Sequence, residues 1–353
     1  MSTELANFDS LHANGELTIM DLARRCGNEV DAWLLLEELR WGKGAVNVAC
    51  AHCGCTDVHF IKPSNGATRR TASESQSARR VWKCHKRGGG CGRQFTATVG
   101  TVMHRTKMPI ATWLFVMFEM VASKNGVAAR EIQRKYKVSH KAAWHMLMRI
   151  REAMSNDGLA APMTGRVAVD ETFVGGKAKS MNKKRKKAFR EEFPNSLGGT
   201  NGKTPVVTMI NRDTGEVRSR VVNDVTGATL RKHLDNNVIK SETDLETDQY
   251  KGYKQVGQEM RSHKTVDHSK NIYGMRGVST NVVESYFSQL KRSIDGTHHH
   301  CSSVHLQRYV GEFDYRYTTR KLNDSQRLQH LLGRSRFASP LPYSALLAGS
   351  RKS

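Results

Sequence analysis

The chain has 353 residues, 38% of them hydrophobic and 25% charged, which is typical of a globular protein long enough for two or three domains. Its 56 lysine and arginine residues exceed its 33 aspartate and glutamate residues, giving a formal net charge of +23. Folding does not require such an excess, so it predicts a polyanionic partner. The sequence has no apolar run near the roughly 18 residues of a membrane span and no secretory signal pattern. We therefore expect no membrane partner and a location in the cytoplasm or nucleoid.

The first predicted segment, residues 1–45, is a helical lead-in. Apolar residues recur there at helical spacing between Leu17 and Trp41, which predicts amphipathic helices. No residue pattern in this segment indicates chemistry.

Five of the seven cysteines lie between residues 50 and 91, which favours a local metal site over a disulfide framework. Cys50-Ala-His-Cys53 can supply two thiolates from one turn, and Cys84 with Cys91 can supply the second pair. Four protein ligands leave no open coordination position. The sequence therefore predicts one structural Zn²⁺ in a zinc ribbon over residues 46–105. The second pair is unusually widely spaced, and three other residues remain alternative ligands: His52, Cys55 and His85. The competing interpretation is a set of reduced, unligated thiols.

Residues 106–157 predict three helices. The first carries an apolar stripe from Ile110 to Val121, and the other two flank a break near residues 137–138, which is the length and turn of a helix-turn-helix. Ser139 is a suitable N-cap for the third helix. In this geometry three early residues of that helix would face DNA: His140, Lys141 and Trp144. The alternative is an ordinary helical hairpin.

Residues 165–320 predict three strands, a helix, a strand, a helix, a strand and a helix, which is the order of an RNase H-like domain with a mixed five-stranded sheet. Eight lysine and arginine residues between 177 and 190 predict an exposed loop that follows phosphates. Its densest run is Lys183, Lys184, Arg185, Lys186 and Lys187. The predicted fold class is thus α+β and multidomain, with the ribbon and helix-turn-helix before the α/β domain.

Three carboxylates would converge in that domain. Asp170 lies on its first strand, Asp248 on its fourth and Glu284 on its last helix. Oxygen ligands from several elements suit Mg²⁺ or Mn²⁺, and two such ions about 4 Å apart support phosphoryl transfer. Lys291 follows Glu284 by seven residues and so shares its helix face. Three other carboxylates remain competitors for these roles: Glu171, Asp244 and Glu246.

Several of these motifs together resemble bacterial insertion-sequence transposases of the zinc-ribbon DDE type. They are Val169-Asp-Glu-Thr-Phe-Val-Gly-Gly176, Thr247-Asp248, residues 280–292 and 298–317, the Cys50-x-x-Cys53 knuckle, and residues 94–101. The resemblance implies a catalytic triad of Asp170, Asp248 and Glu284. It also implies contacts to DNA ends from Lys291, with Arg292 beside it. An Asn can stand in place of the Glu within that family, so Asn281 is a further residue to mutate.

The resemblance implies a transposase that binds terminal inverted repeats and target DNA, cuts and joins strands with two Mg²⁺ or Mn²⁺, and works as a homo-oligomer. No Walker-type phosphate loop occurs, so we expect no nucleotide cofactor. A domesticated, non-catalytic DNA-binding regulator is the main alternative, and a nuclease-like scaffold that binds RNA is a third. Residues 321–353 are expected to form a basic tail.

Overall fold

The computed structural model describes residues 17–63, 66, 68–70, 76–155, 161–176, 181–193, 199–266, 281–299, 301–335, 338 and 340–350. The chain divides into two compact units. The first is Met1–Met154 with Arg320–Leu347, and the second is Ser155–Thr319 with Ala348–Ser353. Among the described helices, none has the length and apolar character that crossing a membrane requires.

The helices, in chain order, are α1 (Ile19–Arg25), α2 (Glu29–Trp41), α3 (Ile110–Ala122), α4 (Ala129–Tyr136), α5 (His140–Met154), α6 (Lys183–Glu192), α7 (Gly227–Asp235), α8 (Lys254–Gly257), α9 (Asn281–Ser293), α10 (Ser303–Thr318), α11 (Asp324–Ser335) and α12 (Tyr343–Ser350). The strands are β1 (Val58–Phe60), β2 (Arg69–Arg70), β3 (Gln76–Ser77), β4 (Trp82–Cys84), β5 (Gln94–Phe95), β6 (Met163–Val174), β7 (Thr204–Asn211), β8 (Val217–Val221), β9 (Val238–Asp248) and β10 (Ser262–Val266).

The helical part of the first unit packs around α3, which is apolar on nearly every side. Its Trp113, Leu114 and Met117 are all buried, as expected for a helix at the centre of a core. α11 packs on both α3 and α5 and buries Leu328 and Leu331. Residues 321–353, expected as a basic tail, therefore contain α11, which belongs to the core of the first unit.

β1, β4 and β5 form a three-stranded sheet in that order, with antiparallel pairing throughout. The ring of Trp41 on α2 meets those of Trp82 and Phe95 edge-on, with centroids 5.8 and 6.1 Å away. The buried Glu37 carboxylate accepts a hydrogen bond from Trp82 Nε1 at 2.8 Å and one from Arg80 Nε at 2.7 Å. A buried carboxylate is tolerated when charged and polar donors satisfy it. These contacts hold the small sheet against α2.

The second unit contains a mixed five-stranded sheet of order β10-β9-β6-β7-β8, which confirms the predicted α+β class and sheet. β9 runs parallel to β6 and β10, whereas β7 is antiparallel to β6 and β8. Side chains alternate between faces along each strand. Thus Ala168 packs in the cluster that contains α9 and α10, while Val167 and Val169 pack with α7 and α8 on the other face.

β8 forms one edge of this sheet, and α10 covers that edge. Alternate backbone N–H groups of β8 donate to side chains of α10. The pairs are Val217 to Thr318 Oγ1 at 3.0 Å, Ser219 to Asp314 Oδ2 at 2.7 Å, and Val221 to Gln307 Oε1 at 2.8 Å. Backbone donors that an edge strand would leave open are therefore satisfied within the chain.

The basic segment expected as a loop is a helix over part of its length, so that expectation is wrong for residues 183–192. Lysine and arginine are good helix formers when their charges face solvent. α6 also has an apolar anchor, because Phe189 is buried and its ring lies 5.0 Å from that of Phe193. A high density of positive charge is therefore not, by itself, evidence for a loop.

Candidate functional site

Four cysteines of the first unit form a compact thiol cluster. The sulfur atoms of Cys50, Cys53, Cys84 and Cys91 all lie within 4.8 Å of one another. Cys50 Sγ is 3.6 Å from Cys91 Sγ, and Cys53 Sγ is 3.7 Å from Cys84 Sγ. Backbone N–H groups of Cys55 and Cys91 lower the pKa of Cys53, whereas burial raises that of Cys50. Four sulfur donors at this spacing are the ligand set that tetrahedral zinc prefers.

The alternative ligands lie outside this cluster, among the residues that the structure describes. His52 Nε2 is 3.3 Å from the carbonyl oxygen of Gln94, and His85 Nε2 is 2.9 Å from His59 Nδ1. Both imidazoles therefore have other neighbours. The chemistry of the donor set fits zinc without them.

Gly90 has a steric role in the loop between Cys84 and Cys91. A Cβ atom at this position would lie 1.9 Å from the carbonyl oxygen of His85 and 2.8 Å from Cys84 Sγ. No real side chain tolerates such distances, so the loop can return to Cys91 only with glycine here. The three-glycine run thus contains one residue with a specific steric role.

A second cluster lies in the second unit, where β6 and β9 run side by side. Ala168 is paired with Glu246 in the parallel register, and Asp170 and Asp248 follow these two residues by two positions each. Oxygen atoms of Asp170, Glu171 and Asp248 lie within 4.8 Å of one another. The Asp170 carboxylate also accepts a hydrogen bond from the backbone N–H of Glu171 at 2.7 Å. Three carboxylates this close are a donor set for Mg²⁺ or Mn²⁺.

Glu171 is a half-buried member of this cluster whose carboxyl group has a raised pKa. Burial raises its pKa to about 7, and the negative charges of Asp170 and Asp248 act in the same direction. The Tyr253 hydroxyl is near enough to lower that pKa, yet it lies outside hydrogen-bond geometry. Glu171 Oε1 is buried with no hydrogen-bond partner in the described part of the chain. An orphaned acceptor beside two other carboxylates fits a site that receives a cation.

Glu284, the third predicted triad member, is exposed in the first turn of α9 and is not part of the close group. α9 packs on β6 and β7 through Val283 and Tyr286. Glu284 and Lys291 lie on one exposed face of this helix, together with Asn281. Arg292 is exposed beside them.

The two remaining carboxylate competitors are held by arginines. Asp244 accepts a hydrogen bond from Arg261 Nε at 2.9 Å, and this partner lowers the pKa of Asp244 to about 2. Glu246 is buried and lies 2.6 Å from Arg212 Nη1. These partners favour structural roles for both acids.

The other predicted DNA-contact residues fall on α5 and α6. Residues 137–139 join α4 to α5, and the backbone of Lys137 is in the left-handed region, with φ of 51°. Ser139 Oγ accepts a hydrogen bond from the backbone N–H of Ala142 at 3.1 Å. His140 and Lys141 are exposed and Trp144 is half-buried. On α6, the lysines are exposed or half-buried: Lys183, Lys184, Lys186 and Lys187. The side chain of Arg185 lies outside the described residues.

Comparison with known families agrees with both clusters. Residues 27–94 match the model of the transposase zinc-ribbon domain, and residues 162–318 match that of the ISXO2-like transposase domain. The chain belongs to the zinc-ribbon DDE insertion-sequence transposases. No curated protein sequence matches it.

The matched ranges assign each cluster to one part of this transposase. The four cysteines lie within the zinc-ribbon match, and the three clustered carboxylates lie within the transposase-domain match. Sequence reasoning missed Tyr253, although a signal was available. Tyr253 lies only five residues beyond Asp248. A short turn after β9 can therefore bring the tyrosine side chain back to the end of that strand.

Proposed function

We propose that this transposase binds the terminal inverted repeats of an insertion sequence and catalyses metal-dependent cleavage and transfer of DNA strands. The supporting observation is the meeting of Asp170 and Asp248 at neighbouring positions of two parallel strands, within the transposase-domain match. The strand order of the sheet is also the one expected for an RNase H-like catalytic domain. DNA is the polyanion that accounts for the net charge of +23.

In this proposal Asp170, Asp248 and Glu284 hold two divalent ions, Mg²⁺ or Mn²⁺. Bound there, the ions would stabilise the negative charge that develops during phosphoryl transfer. Asp170 is held in place by the Glu171 N–H, and Asp248 accepts a hydrogen bond from the backbone N–H of Tyr250 at 3.0 Å. Both carboxylates are thus oriented before substrate arrives, which lowers the cost of assembling the site.

Two reactions would follow at the same residues. Water first attacks a phosphodiester at the element end, the P–O3′ bond breaks, and the leaving 3′ oxygen takes up a proton. That 3′-hydroxyl then loses its proton and attacks a target phosphodiester, whose own 3′ oxygen leaves. The number of phosphodiester bonds is unchanged in the second step. No nucleotide cofactor is required for either reaction.

DNA would be held by four surfaces of the chain. The zinc ribbon, with one structural Zn²⁺, and the α4–α5 pair acting as a helix-turn-helix would recognise the repeats. The lysines of α6 would bind phosphates, as would Lys291 and Arg292 on the exposed face of α9. Two element ends must be held together, so we propose a homo-oligomer on DNA. Light scattering of the complex with repeat DNA would measure its subunit number.

The decisive experiment is Mg²⁺- or Mn²⁺-dependent nicking and strand transfer on DNA that carries the flanking inverted repeats. Asp170→Asn, Asp248→Asn and Glu284→Gln should each abolish both reactions while repeat binding persists. Glu242→Gln is the matched control, because Glu242 is an exposed carboxylate on the same strand as Asp248. Glu171 is unsuitable as a control, since it lies within the carboxylate cluster.

Other outcomes would replace the proposal. Tight repeat binding without cleavage in any divalent ion would support the non-catalytic regulator. Equal, salt-sensitive binding of RNA and DNA without repeat preference would support the RNA scaffold.

A further inference from the structure

Glu171 occupies an unusual place for a residue next to a proposed metal ligand. Side chains alternate along β6, so Glu171 is directed to the sheet face of α7 and α8, opposite to that of Asp170. Val169 confirms this face, because it packs with Leu230 and Tyr253. Glu171 nevertheless contributes an oxygen to the group within 4.8 Å, together with Asp170 and Asp248. Carboxylates from both faces of the sheet therefore meet at the end of β6.

Tyr253 gives a second, independent observation at this cluster. Its side chain is 0% exposed, and its hydroxyl has no hydrogen-bond partner in the described part of the chain. This hydroxyl lies beside the Glu171 carboxylate without reaching hydrogen-bond geometry, and its pKa is raised by burial, by Glu171 and by the charges of Asp170 and Asp248. An unpaired hydroxyl buried at this depth costs free energy unless the functional state supplies a partner.

The same reasoning applies to the Glu171 carboxylate. Oε1 is buried without a partner, and two further carboxylates lie within 4.8 Å. Removing a carboxylate from water without a compensating donor or cation is strongly unfavourable. A divalent cation would compensate all three acids at once, and the Tyr253 hydroxyl could then donate to the carboxylate oxygen that the ion leaves free.

We propose that Glu171 is a direct ligand of the divalent ion, in addition to the Asp170, Asp248 and Glu284 set, and that Tyr253 is the positioning residue that orients it. The inference rests on the proposed function, because it concerns the same metal centre. The inference makes a specific claim about metal binding by the protein without DNA. Asp170, Glu171 and Asp248 are already gathered before DNA binds, whereas exposed Glu284 is outside the group. Metal affinity without DNA should therefore depend on Glu171 more than on Glu284.

The test is Mn²⁺ binding to the full-length, zinc-loaded chain without DNA, measured by electron paramagnetic resonance of free Mn²⁺. Glu171→Gln should weaken binding more than tenfold, and Tyr253→Phe should weaken it about tenfold, the size typical of a lost outer contact. Glu284→Gln should change it less than threefold, and Glu242→Gln should leave it unchanged. Melting temperature and zinc content, measured on each variant, show that it is folded.

The outcomes separate the inference from the proposed function. If Glu171→Gln binds Mn²⁺ like the wild type, or if Glu284→Gln weakens binding more, Glu171 is not a ligand and the inference fails. The proposed function survives that result when Asp170→Asn still abolishes cleavage. Absence of Mn²⁺ binding by the wild-type chain also overturns the inference. If Glu171→Gln is unfolded, Tyr253→Phe decides, and unchanged affinity in that variant rejects the positioning role and the inference with it.

Discussion

The Nζ atom of Lys141 lies 4.3 Å from the centroid of the Tyr343 ring. Trp144 packs edge-on against the same ring at 6.2 Å, and His145 Nε2 lies 2.8 Å from the carbonyl oxygen of Leu341. Two of the three residues predicted to face DNA on α5 therefore contact the beginning of α12. The C-terminal segment therefore covers part of the α5 surface that we propose for DNA binding.

Replacing Tyr343 should release that surface. A cation–π contact of this kind is worth about 0.5–1 kcal/mol, so Tyr343→Ala should tighten binding to repeat DNA about two- to five-fold. Fluorescence anisotropy at fixed salt would measure the effect. Leu347→Ala is the control, because Leu347 is an exposed apolar residue of the same helix. Unchanged affinity in Tyr343→Ala would mean that α5 does not read DNA through Lys141.

His233 should make the second unit sensitive to acid. Burial, aided by the positive charges of Arg220 and Arg218, lowers the pKa of His233 from 6.5 to about 4. The unfolded chain thus binds the proton more readily, and the free energy of unfolding should fall as pH decreases from about 6.5 to 4. The loss should reach about 3 kcal/mol for this group. His330 in the first unit has its pKa lowered to about 4 as well, chiefly by burial.

Urea unfolding across this pH range tests the assignment. His233→Phe keeps a planar ring without a titrating group, so part of the acid-dependent loss should disappear. Asn236→Ala, an exposed change at the end of the same helix, should keep the wild-type dependence. An equally steep loss in His233→Phe would assign the acid sensitivity to other residues.

Gly90→Ala should disrupt the zinc ribbon. The added methyl group would approach His85 O to 1.9 Å and Cys84 Sγ to 2.8 Å, so the loop must move and the thiolates must separate. Zinc content should fall well below one ion per chain, as measured by atomic emission. Gly333→Ala is the control, since a Cβ there meets nothing within 4 Å. Full zinc occupancy in Gly90→Ala would refute the steric role.

Asp314 should be one of the most important polar residues of the second unit. It is buried and accepts hydrogen bonds from Ser219 N and Ser219 Oγ, both at 2.7 Å, and from Tyr286. Hydrogen bonds to a charged group contribute about 1.5–3 kcal/mol each, and they are not additive. Asp314→Ala should therefore lower the free energy of unfolding by about 3–5 kcal/mol. Asp295→Ala, at an exposed carboxylate, should have little effect in the same denaturant titration.

The sequence predicted features that depend on local spacing or on strand order. The cysteine cluster follows from the Cys50-x-x-Cys53 knuckle and one returning strand. Asp170 and Asp248 meet because each lies near the end of a strand in a predictable parallel pair. Both predictions use only short-range patterns and a known order of elements.

Features that depend on long-range packing could not be predicted in the same way. Alternation along β6 directs Glu171 away from Asp170, yet oxygen atoms of Asp170, Glu171 and Asp248 lie within 4.8 Å of one another in the folded chain. The contact between Lys141 and Tyr343 joins residues about two hundred positions apart, and no spacing rule encodes it. The side chains of α10 accept hydrogen bonds from backbone N–H groups of β8, and the helical pattern of α10 alone does not indicate these contacts.

The sealed edge of β8 also limits how copies of this chain can assemble. Strand-to-strand addition requires free N–H groups along an edge, and α10 already engages those of Val217, Ser219 and Val221. A neighbouring copy thus finds no template at β8 for a continuous intermolecular sheet. If two copies pair around two DNA ends, as proposed, strand addition at β8 would not join them, and the same closed edge protects the chain from aggregation through β8.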